Sequence, residues 1–432
     1  VINGFLVYEI DMATKISFVS LGCDKNLIDS EIMLGLIDEK GYIITPNDSE
    51  ADVIIINSCG FILDANQEAI DKVLEMADYK ANGNCKALIV TGCMAQRYKD
   101  EIFESLPEVD AVVGTGDFEN IGAVIDRLLN GEKKVQLVTD INHLLNENNS
   151  YKRMVTTTGG FSYLKIAEGC DNRCTYCTIP SLRGKYRSRN IESLVKEAQI
   201  LADKGVRELI LIAQDTSLYG QDLYGEQKLH VLLQEISKIE DIKWIRILYC
   251  YPENVYDELI DEMASNPKVL HYLDMPVQHT NDRILKLMGR RSTGDKIKDT
   301  VNRLRAKMPD MCIRTTLITG FPTETQEEFE SVIDFMKEVP TEWDESRFVD
   351  GYPGKYVVLA RRHGDSWYLA AVNATKEPLK LKLDLPMFAG KSVSFYSDDK
   401  QLQPQLRQYN VKSDGKFQLT IQPQGGVVLK NN

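Results

Sequence analysis

The sequence predicts an α/β fold in three parts: an N-terminal parallel α/β sheet domain, a partial (β/α) barrel and a C-terminal antiparallel β-sandwich. Short β-rich runs alternate with amphipathic stretches over residues 16–140, which is typical of a parallel sheet covered by helices. Five further strand–helix units over residues 159–339 indicate a partial barrel. Over residues 340–432, apolar and polar residues alternate with period two between turn-rich segments, which favours an antiparallel sandwich.

The elements of the N-terminal domain follow from its apolar runs and amphipathic periods. The predicted strands are residues 16–21, 53–57, 87–91 and 111–114. The predicted helices are residues 29–39, 66–77, 99–106 and 120–129. Residues 1–15 are predicted to be an extension, and residues 1–10 lack the basic segment and cleavage site of a signal peptide. The polar run 141–158 is predicted to be a linker.

The barrel elements repeat at regular spacing, and the carboxyl ends of their strands are expected to hold the site. The predicted strands are residues 163–167, 208–213, 243–249, 271–275 and 312–318. The predicted helices are residues 191–204, 229–239, 255–264 and 326–338, and more than one helix is predicted between residues 282 and 308.

Composition limits the classes of protein that this chain can belong to. With 43% hydrophobic and 27% charged residues and no apolar run of the roughly 20 residues that span a bilayer, we expect a cytoplasmic chain without a membrane partner. The net charge of -13 argues against a nucleic-acid partner and would attract a basic protein, although acidity also serves solubility alone. The nine cysteines cluster in loops, which favours a reducing compartment and metal binding.

Three cysteines in one loop carry the strongest chemical signal. Cys170, Cys174 and Cys177 are spaced C-x3-C-x2-C, so one loop can wrap three corners of a cubic iron–sulfur cluster and leave the fourth iron open. An open iron can chelate a small molecule, which indicates a catalytic cluster. The alternatives are an inert cysteine cluster or a zinc site. A structural zinc ion normally needs a fourth Cys or His ligand close by in sequence, and the chain has no histidine near this loop.

Three further cysteines each lie just past a predicted strand and beside a glycine. They are Cys23, Cys59 and Cys93. Because the carboxyl ends of parallel strands meet at one crevice, these side chains are expected to form a second three-cysteine cluster site. The alternative is three separate buried thiols. Cys85 precedes its strand, and Cys250 and Cys312 fall within strand patterns, which indicates core positions.

Long motifs accompany both sets of cysteines. SLGCDKNLIDSE (residues 20–31) and VTGCMAQRY (residues 90–98), together with the cysteine loop, resemble the radical S-adenosylmethionine methylthiotransferases. The motifs AQDT (residues 213–216), YG (residues 219–220) and YLDMPVQH (residues 272–279) resemble the RimO branch, which modifies an aspartate of ribosomal protein uS12. The resemblance covers about residues 12–339. The sister branch modifies an adenosine in tRNA and shares both cysteine sets, so it is the second candidate.

The resemblance implies two 4Fe-4S clusters with different tasks. Cys170, Cys174 and Cys177 would hold the cluster whose open iron binds S-adenosylmethionine. One electron, from a donor such as a flavodoxin-type reductant, would then yield a 5′-deoxyadenosyl radical that removes hydrogen from the aspartate β-carbon. The other three cysteines would hold an auxiliary cluster carrying the sulfur, which a second S-adenosylmethionine methylates. Two clusters facing one cavity would let radical and sulfur reach the same carbon.

Supporting residues are expected from the same resemblance. Tyr176, Gln214 and Gly320 are expected to bind the cofactor, with Gly320 allowing close backbone approach; Tyr176 could equally anchor its loop. The basic run 183–189 is expected to contact substrate or a methionyl carboxylate, or to be solvated. His279, with Gln278 before it, is expected to line the cavity or to serve as a structural histidine.

The chain departs from this family near residue 340. The segment PTEWDESRFVDGYPGKY (residues 340–356) resembles the junction into the C-terminal β-sandwich of family 97 glycoside hydrolases, and the similarity extends to the end of the chain. Their catalytic barrel and carboxylates are absent, so glycoside cleavage is not expected. No sixth barrel strand or substrate-gripping TRAM domain is recognisable, which leaves the activity of this chain open. Two hypotheses result. The chain is either a fusion whose barrel has an unprotected edge, or a carbohydrate-associated sandwich protein whose methylthiotransferase-like part is inactive.

Overall fold

The computed structural model describes residues 14–142, 147–157, 160–338, 343–352, 355–400 and 404–431. The chain forms two compact units, Val1–Val332 and Ile333–Asn432. Most of the predicted extension 1–15 lies outside the described residues. Among the described helices, none combines the length and the apolar character that a membrane crossing requires.

The first unit begins with a six-stranded parallel sheet in the order β2-β1-β3-β4-β5-β6. Its strands are β1 Lys15–Ser20, β2 Ile43–Ile44, β3 Val53–Ser58, β4 Ala87–Gly92, β5 Ala111–Val113 and β6 Val135–Leu137. Its helices are α1 Asp24–Glu39, α2 Leu63–Asn82, α3 Cys93–Ser105 and α4 Ile121–Leu129. Strands β3 and β4 are buried throughout because helices cover both faces, so their sequences are continuous apolar runs.

A second parallel sheet of five strands follows, in the order β13-β12-β11-β10-β7. Its strands are β7 Phe161–Lys165, β10 Glu208–Ile212, β11 Trp244–Ile247, β12 Val269–Asp274 and β13 Cys312–Arg314, and β8 Ala167–Glu168 pairs with β9 Arg187–Ser188. The helices in this part are α5 Glu147–Ser150, α6 Ile179–Arg183, α7 Ile191–Asp203, α8 Gln221–Tyr224, α9 Leu229–Ser237, α10 Asp257–Ser265, α11 Asp282–Leu287, α12 Gly294–Lys307 and α13 Gln326–Glu338. The predicted parallel α/β class is confirmed for both sheets.

The two sheets of the first unit share one apolar core. Ile55 and Ile89 of the first sheet belong to the same buried cluster as Ile212 and Leu248, which lie in and beside the second sheet. A second cluster covers the other face of the first sheet. This shared core fixes the strand ends of the two sheets relative to each other, because interiors are close-packed and resist sliding.

The helices predicted between residues 282 and 308 are α11 and α12, which are separated near Gly289, a residue with a φ of +71°. One predicted strand is shorter in the structure. The strand predicted over residues 312–318 is regular only to Arg314, and beyond it one isolated bridge joins Gln278 to Leu317. Among the described residues β13 ends its sheet, and Arg314, Thr315 and Thr316 are exposed.

The second unit is an antiparallel β-sandwich, as predicted. One sheet has the order β14-β15-β16-β21-β18-β19, and β17 pairs with β20 in the other. The strands are β14 Glu345–Tyr352, β15 Tyr356–His363, β16 Ser366–Asn373, β17 Leu379–Asp384, β18 Ser392–Asp398, β19 Pro404–Asn410, β20 Lys416–Ile421 and β21 Gly426–Asn431. In β17, Leu381 and Leu383 are buried while Lys380 and Lys382 are exposed, which is the period-two pattern of a strand with one covered face.

Candidate functional site

The structure brings together the three loops that carry Cys23, Cys59 and Cys93, which lie far apart in sequence and are here called the scattered trio. Cys23 immediately precedes α1, Cys59 follows β3, and Cys93 begins α3 directly after β4. Strands β1, β3 and β4 are parallel neighbours, so their carboxyl ends lie side by side. A Cβ at Gly22 would lie 3.0 Å from the Cys59 Cβ, and one at Gly60 would lie 2.9 Å from the Cys93 carbonyl. The three loops are therefore in contact.

The thiols of the scattered trio influence one another electrostatically. Burial raises the pKa of Cys93, the positive charge of Arg183 opposes that rise, and the nearby Cys23 and Cys59 reinforce it. Cys93 is buried, Cys59 is half-buried and Cys23 is exposed. The scattered trio is therefore anchored on one side and open to solvent on the other.

The second set, here called the loop trio, lies between β8 and α6 and consists of Cys170, Cys174 and Cys177. The Cys170 N–H donates to the Gly184 carbonyl at 3.0 Å, and the Cys177 N–H donates to the Cys174 carbonyl at 3.0 Å. The N–H of Ile179 donates to the Cys177 Sγ at 3.4 Å. Burial raises the pKa of Cys170 to about 11, with a further contribution from nearby Asp215. Backbone hydrogen bonds thus hold this loop in place.

Two glycines let the main chain approach the cysteine loop closely. Gly169 has a φ of +80°, and a Cβ there would lie 2.0 Å from the Lys185 carbonyl oxygen. Gly289, at the break between α11 and α12, has a φ of +71°, and a Cβ there would lie 2.7 Å from the Arg173 carbonyl oxygen. Larger residues at either position would push the loop away from its support.

Within the basic run 183–189, Arg183 is buried and paired with carboxylates, whereas Lys185 is exposed. Arg183 is buried, and its Nη1 lies 2.6 Å from the Asp29 Oδ2 and 3.4 Å from the Glu168 Oε2. Burial alone would lower the pKa of Arg183, but Cys93 and the two carboxylates raise it well above its ordinary value. Sequence reasoning missed this role because Asp29 lies far away along the chain.

Comparison with known proteins adds to this geometry. Residues 15–114 match "Uncharacterized protein family UPF0004", residues 164–336 match the radical SAM superfamily, and residues 342–430 match "Glycosyl-hydrolase 97 C-terminal, oligomerisation". A protein of Clostridium botulinum named ribosomal protein uS12 methylthiotransferase RimO is 54% identical over 325 residues, 75% of this chain and 72% of that relative. A protein of Acetivibrio thermocellus with the same name is 52% identical over 335 residues, 76% and 73% of the two chains. The chain belongs to the RimO family.

Solved structures share the fold of the RimO-like part. The radical S-adenosylmethionine methyltransferase TsrM from Kitasatospora setae, with cobalamin and a 4Fe-4S cluster bound, gives a TM-score of 0.57 at 13% identity, covering 77% of this chain and 71% of that chain. The cobalamin-dependent radical enzyme OxsB gives 0.53 at 12% identity, covering 75% and 52%. At these identities the likeness concerns the fold.

The residues around the loop trio fit the cofactors of the RimO family, which are 4Fe-4S clusters and S-adenosylmethionine. Several buried polar atoms there have no hydrogen-bond partner among the described residues, namely Asn172 Nδ2, Thr178 Oγ1, Gln214 Oε1 and Nε and Nη1 of Arg290. Buried polar atoms are normally paired, so these atoms suit a polar ligand. Within the described part of the chain, no three His, Cys, Asp or Glu side chains lie close enough to hold one metal ion as the side chains stand, which applies to both cysteine trios as it does to a zinc site.

Arg290 is the side chain beside the loop trio that sequence reasoning missed. Its guanidinium lies 4.1 Å from the ring centre of Tyr251, whose hydroxyl lies 4.0 Å from the Cys174 Sγ. Burial raises the pKa of Tyr176, and the neighbouring Cys174 adds to the rise while Arg290 opposes it. The only available signal was the pair Arg290-Arg291 after a helical pattern, which does not distinguish a buried arginine from an exposed one.

The remaining candidates are placed as follows. Gln214 donates from its Nε2 to the Glu168 Oε1 at 2.7 Å. Gly320 has a φ of +74° and open space where a Cβ would stand. His279 is buried, 3.2 Å from the Glu324 carboxylate, and accepts the Asn281 N–H at 2.9 Å, which favours the structural reading of this histidine. Cys85 and Cys250 are buried, as expected for core thiols, and Cys312 is half-buried.

Proposed function

We propose that this chain attaches a methylthio group to the β-carbon of an aspartate in ribosomal protein uS12, using two 4Fe-4S clusters and S-adenosylmethionine. Relatives that carry this name support the substrate, since they are about half identical to three-quarters of the chain. The observation that carries the reaction type is the pair of cysteine trios on the two sheets of one compact unit. A radical and a sulfur donor must reach the same carbon, so two sites at one junction suit this reaction.

The metal ligands we propose are the six cysteines of the two trios. The loop trio would hold the cluster that binds S-adenosylmethionine, and the scattered trio would hold the auxiliary cluster. When bound, these groups supply one-electron chemistry and a transferable methylthio group, which acid–base side chains cannot provide. The chain itself contributes thiolates in a loop fixed by main-chain hydrogen bonds, with Cys170 and Cys174 kept from water.

Four further residues would orient the cofactor. Tyr176 is part of the cysteine loop, and Gln214 donates to Glu168 in the strand that precedes this loop. Gly320 leaves room for close approach of a ligand to the main chain. Arg290 would donate from its Nε and Nη1, which have no acceptor among the described residues, to the carboxylate of S-adenosylmethionine. Its Nη2 lies 3.7 Å from the buried Glu253 carboxylate and donates to the Pro276 carbonyl at 3.3 Å, so the Nε and Nη1 edge of the guanidinium is the one available to a ligand.

We further propose that residues 16–140, 159–339 and 340–432 are separate domains, that the chain works in the cytoplasm, and that a flavodoxin-type protein supplies electrons. The three family matches over residues 15–114, 164–336 and 342–430 support this division. The join near residue 340 would then be a fusion of a RimO-like part to a sandwich resembling that of family 97 hydrolases.

The tRNA-modifying alternative is not favoured. The two relatives described above are named for the ribosomal protein, and a net charge of -13 opposes phosphate binding. The hypothesis of a carbohydrate-associated sandwich protein with an inactive RimO-like part is supported by residues 342–430 alone. It also leaves both cysteine trios without a role.

Anaerobic reconstitution of the full chain tests the proposal. We expect about eight iron and eight sulfide per chain. Incubation with uS12 and, separately, with tRNA, followed by mass analysis, should detect the methylthio group on uS12 alone. An iron content near zero together with glycan binding would contradict the proposal. Modification of tRNA instead of uS12 would show that tRNA, not uS12, is the substrate.

A further inference from the structure

Four buried charged side chains join the two trios. Lys165 Nζ lies 2.6 Å from the Asp29 Oδ1 and 2.8 Å from the Glu168 Oε2, and Arg183 pairs with the same two carboxylates. Their side chains are 3–11% exposed. Two cations and two anions balance, so each charge is compensated within the network.

Arg183 extends this network to the scattered trio. Its Nη2 lies 3.6 Å from the Cys93 Sγ and also donates to the Asn26 Oδ1. The other end of the network reaches the loop trio, because Glu168 stands two residues before Cys170. One guanidinium therefore contacts a thiol of the first sheet and the strand that leads into the cysteine loop of the second.

Asn26 connects Arg183 to the other two loops of the scattered trio. Its Nδ2 donates to the Ser58 carbonyl at 3.0 Å and to the Leu21 carbonyl at 3.3 Å. These residues stand immediately before Cys59 and two positions before Cys23. The contact of Arg183 with Asn26 is thus a contact with the common support of all three thiols.

We propose that Arg183 is a positioning residue that donates a charged hydrogen bond to the Cys93 thiolate of the auxiliary cluster and raises the reduction potential of that cluster. The inference rests on the proposed function, in which Cys93 is a cluster ligand. A cationic donor to a ligand sulfur stabilises the reduced cluster, which carries one more negative charge, and outer partners of this kind tune iron–sulfur potentials. An ion pair with a purely structural role would not change the reduction potential of one cluster and leave that of the other unchanged.

The experiment is a potentiometric titration of the reconstituted full chain, followed by electron paramagnetic resonance. Replacing all three loop-trio cysteines with alanine isolates the auxiliary cluster, and replacing the scattered trio isolates the other. Arg183→Lys keeps the charge but loses the planar fork that reaches several partners. Arg207→Gln changes an arginine with a half-exposed ion-pair partner and serves as the control.

A second variant guards against loss of folding, because removing one partner of a buried ion pair is strongly destabilising. The double variant Arg183→Gln with Asp29→Asn removes one positive and one negative charge together. The remaining Lys165 and Glu168 still balance. Circular dichroism checks that this protein is folded before its clusters are measured.

We expect the midpoint potential of the auxiliary cluster to become more negative in Arg183→Lys and to shift further in the double variant. The loop-trio cluster should keep its midpoint in both. An unchanged auxiliary midpoint, equal shifts at both clusters, or a folded double variant that no longer binds auxiliary iron would each overturn the role of Arg183. Wild-type protein without an auxiliary cluster would instead refute the proposed function itself.

Discussion

The loop trio takes its thiols from residues 170–177 of a single loop, whereas the scattered trio takes them from three loops spread over residues 23–93. The loop trio is held by main-chain hydrogen bonds close in sequence, such as the Cys177 N–H to the Cys174 carbonyl. The scattered trio depends on the register of three strands and on the side chain of Asn26. The first site is therefore local in origin, and the second depends on the tertiary fold.

Removing one proposed cluster ligand from each trio tests whether the two sites have separate tasks. Cys174→Ala should lose about half of the iron and lower cleavage of S-adenosylmethionine by more than about 100-fold. Cys59→Ala should also lose about half of the iron but keep this cleavage, while methylthio transfer to uS12 disappears. Iron counting and product analysis after reconstitution measure both effects.

Cys312→Ala is the matched control, since this half-buried thiol belongs to neither trio. It should keep its iron and both activities. If Cys59→Ala lost cleavage as completely as Cys174→Ala, the two trios would not have separate tasks.

The dependence on tertiary structure can be tested at a distance from both trios. Arg153, within the predicted linker, is buried and pairs with Glu31 of α1 at 2.8 Å and with Glu197 of α7 at 2.7 Å. Glu197→Gln should lower the free energy of unfolding by about 3–5 kcal/mol, because it removes one of the two buried carboxylates that pair with Arg153 and the carboxylate that pairs with Arg189. Urea titration measures the change.

On addition of urea, this variant should release iron from the scattered trio before the loop trio. Glu192→Gln on the exposed face of the same helix is the control and should change stability by less than about 0.5 kcal/mol. Simultaneous release from both trios would show that the loop trio also depends on the shared core.

The same distinction explains what sequence could predict. The strands that carry both trios were found because buried runs such as residues 53–58 are strongly apolar, while β2 and β6, with two and three residues, gave too little pattern. The loop trio is visible in its spacing, and the scattered trio follows from strand-end topology. The partners of Arg183 were not predictable, because burial of a charge is decided by residues distant in sequence.

The two sites should also differ in their response to pH. Burial raises the pKa of Asp215, close to the loop trio, from 3.8 to about 6. The raised pKa means that the folded chain binds a proton at Asp215 more tightly than the unfolded chain does. The resulting stabilisation of the fold is complete below pH 3.8 and is lost as the pH rises through about 6. Burial raises the pKa of Glu168, but the positive charges of Lys165 and Arg183 outweigh burial and lower it below its ordinary value. Glu168 therefore stabilises the folded chain above its ordinary pKa, and this stabilisation is lost on acidification.

Asp215→Asn should therefore remove up to about 3 kcal/mol of the pH dependence of unfolding between about pH 4 and pH 7. Glu168→Gln should remove pH dependence only at lower pH. Urea titrations across this range measure both, with Asp203→Asn, an exposed position, as the control. A profile for Asp215→Asn that parallels the wild type would contradict the assignment.

The smallest expected effect concerns ligand binding at the loop trio alone. Arg290 has two buried N–H groups without a partner among the described residues, whereas the adjacent Arg291 is exposed. Arg290→Gln should weaken binding of S-adenosylmethionine by about 10–100-fold, which is the loss expected for hydrogen bonds to a charged group. Equilibrium dialysis with reconstituted protein measures the dissociation constant.

Arg291→Gln is the matched control and should bind as the wild type does. The iron content of both variants should remain unchanged, since neither side chain is a proposed cluster ligand. Loss of iron from the loop trio in Arg290→Gln, with no separate effect on binding, would assign Arg290 to support of the cysteine loop. Its unpaired N–H groups would then be explained by the cluster rather than by the carboxylate of the cofactor.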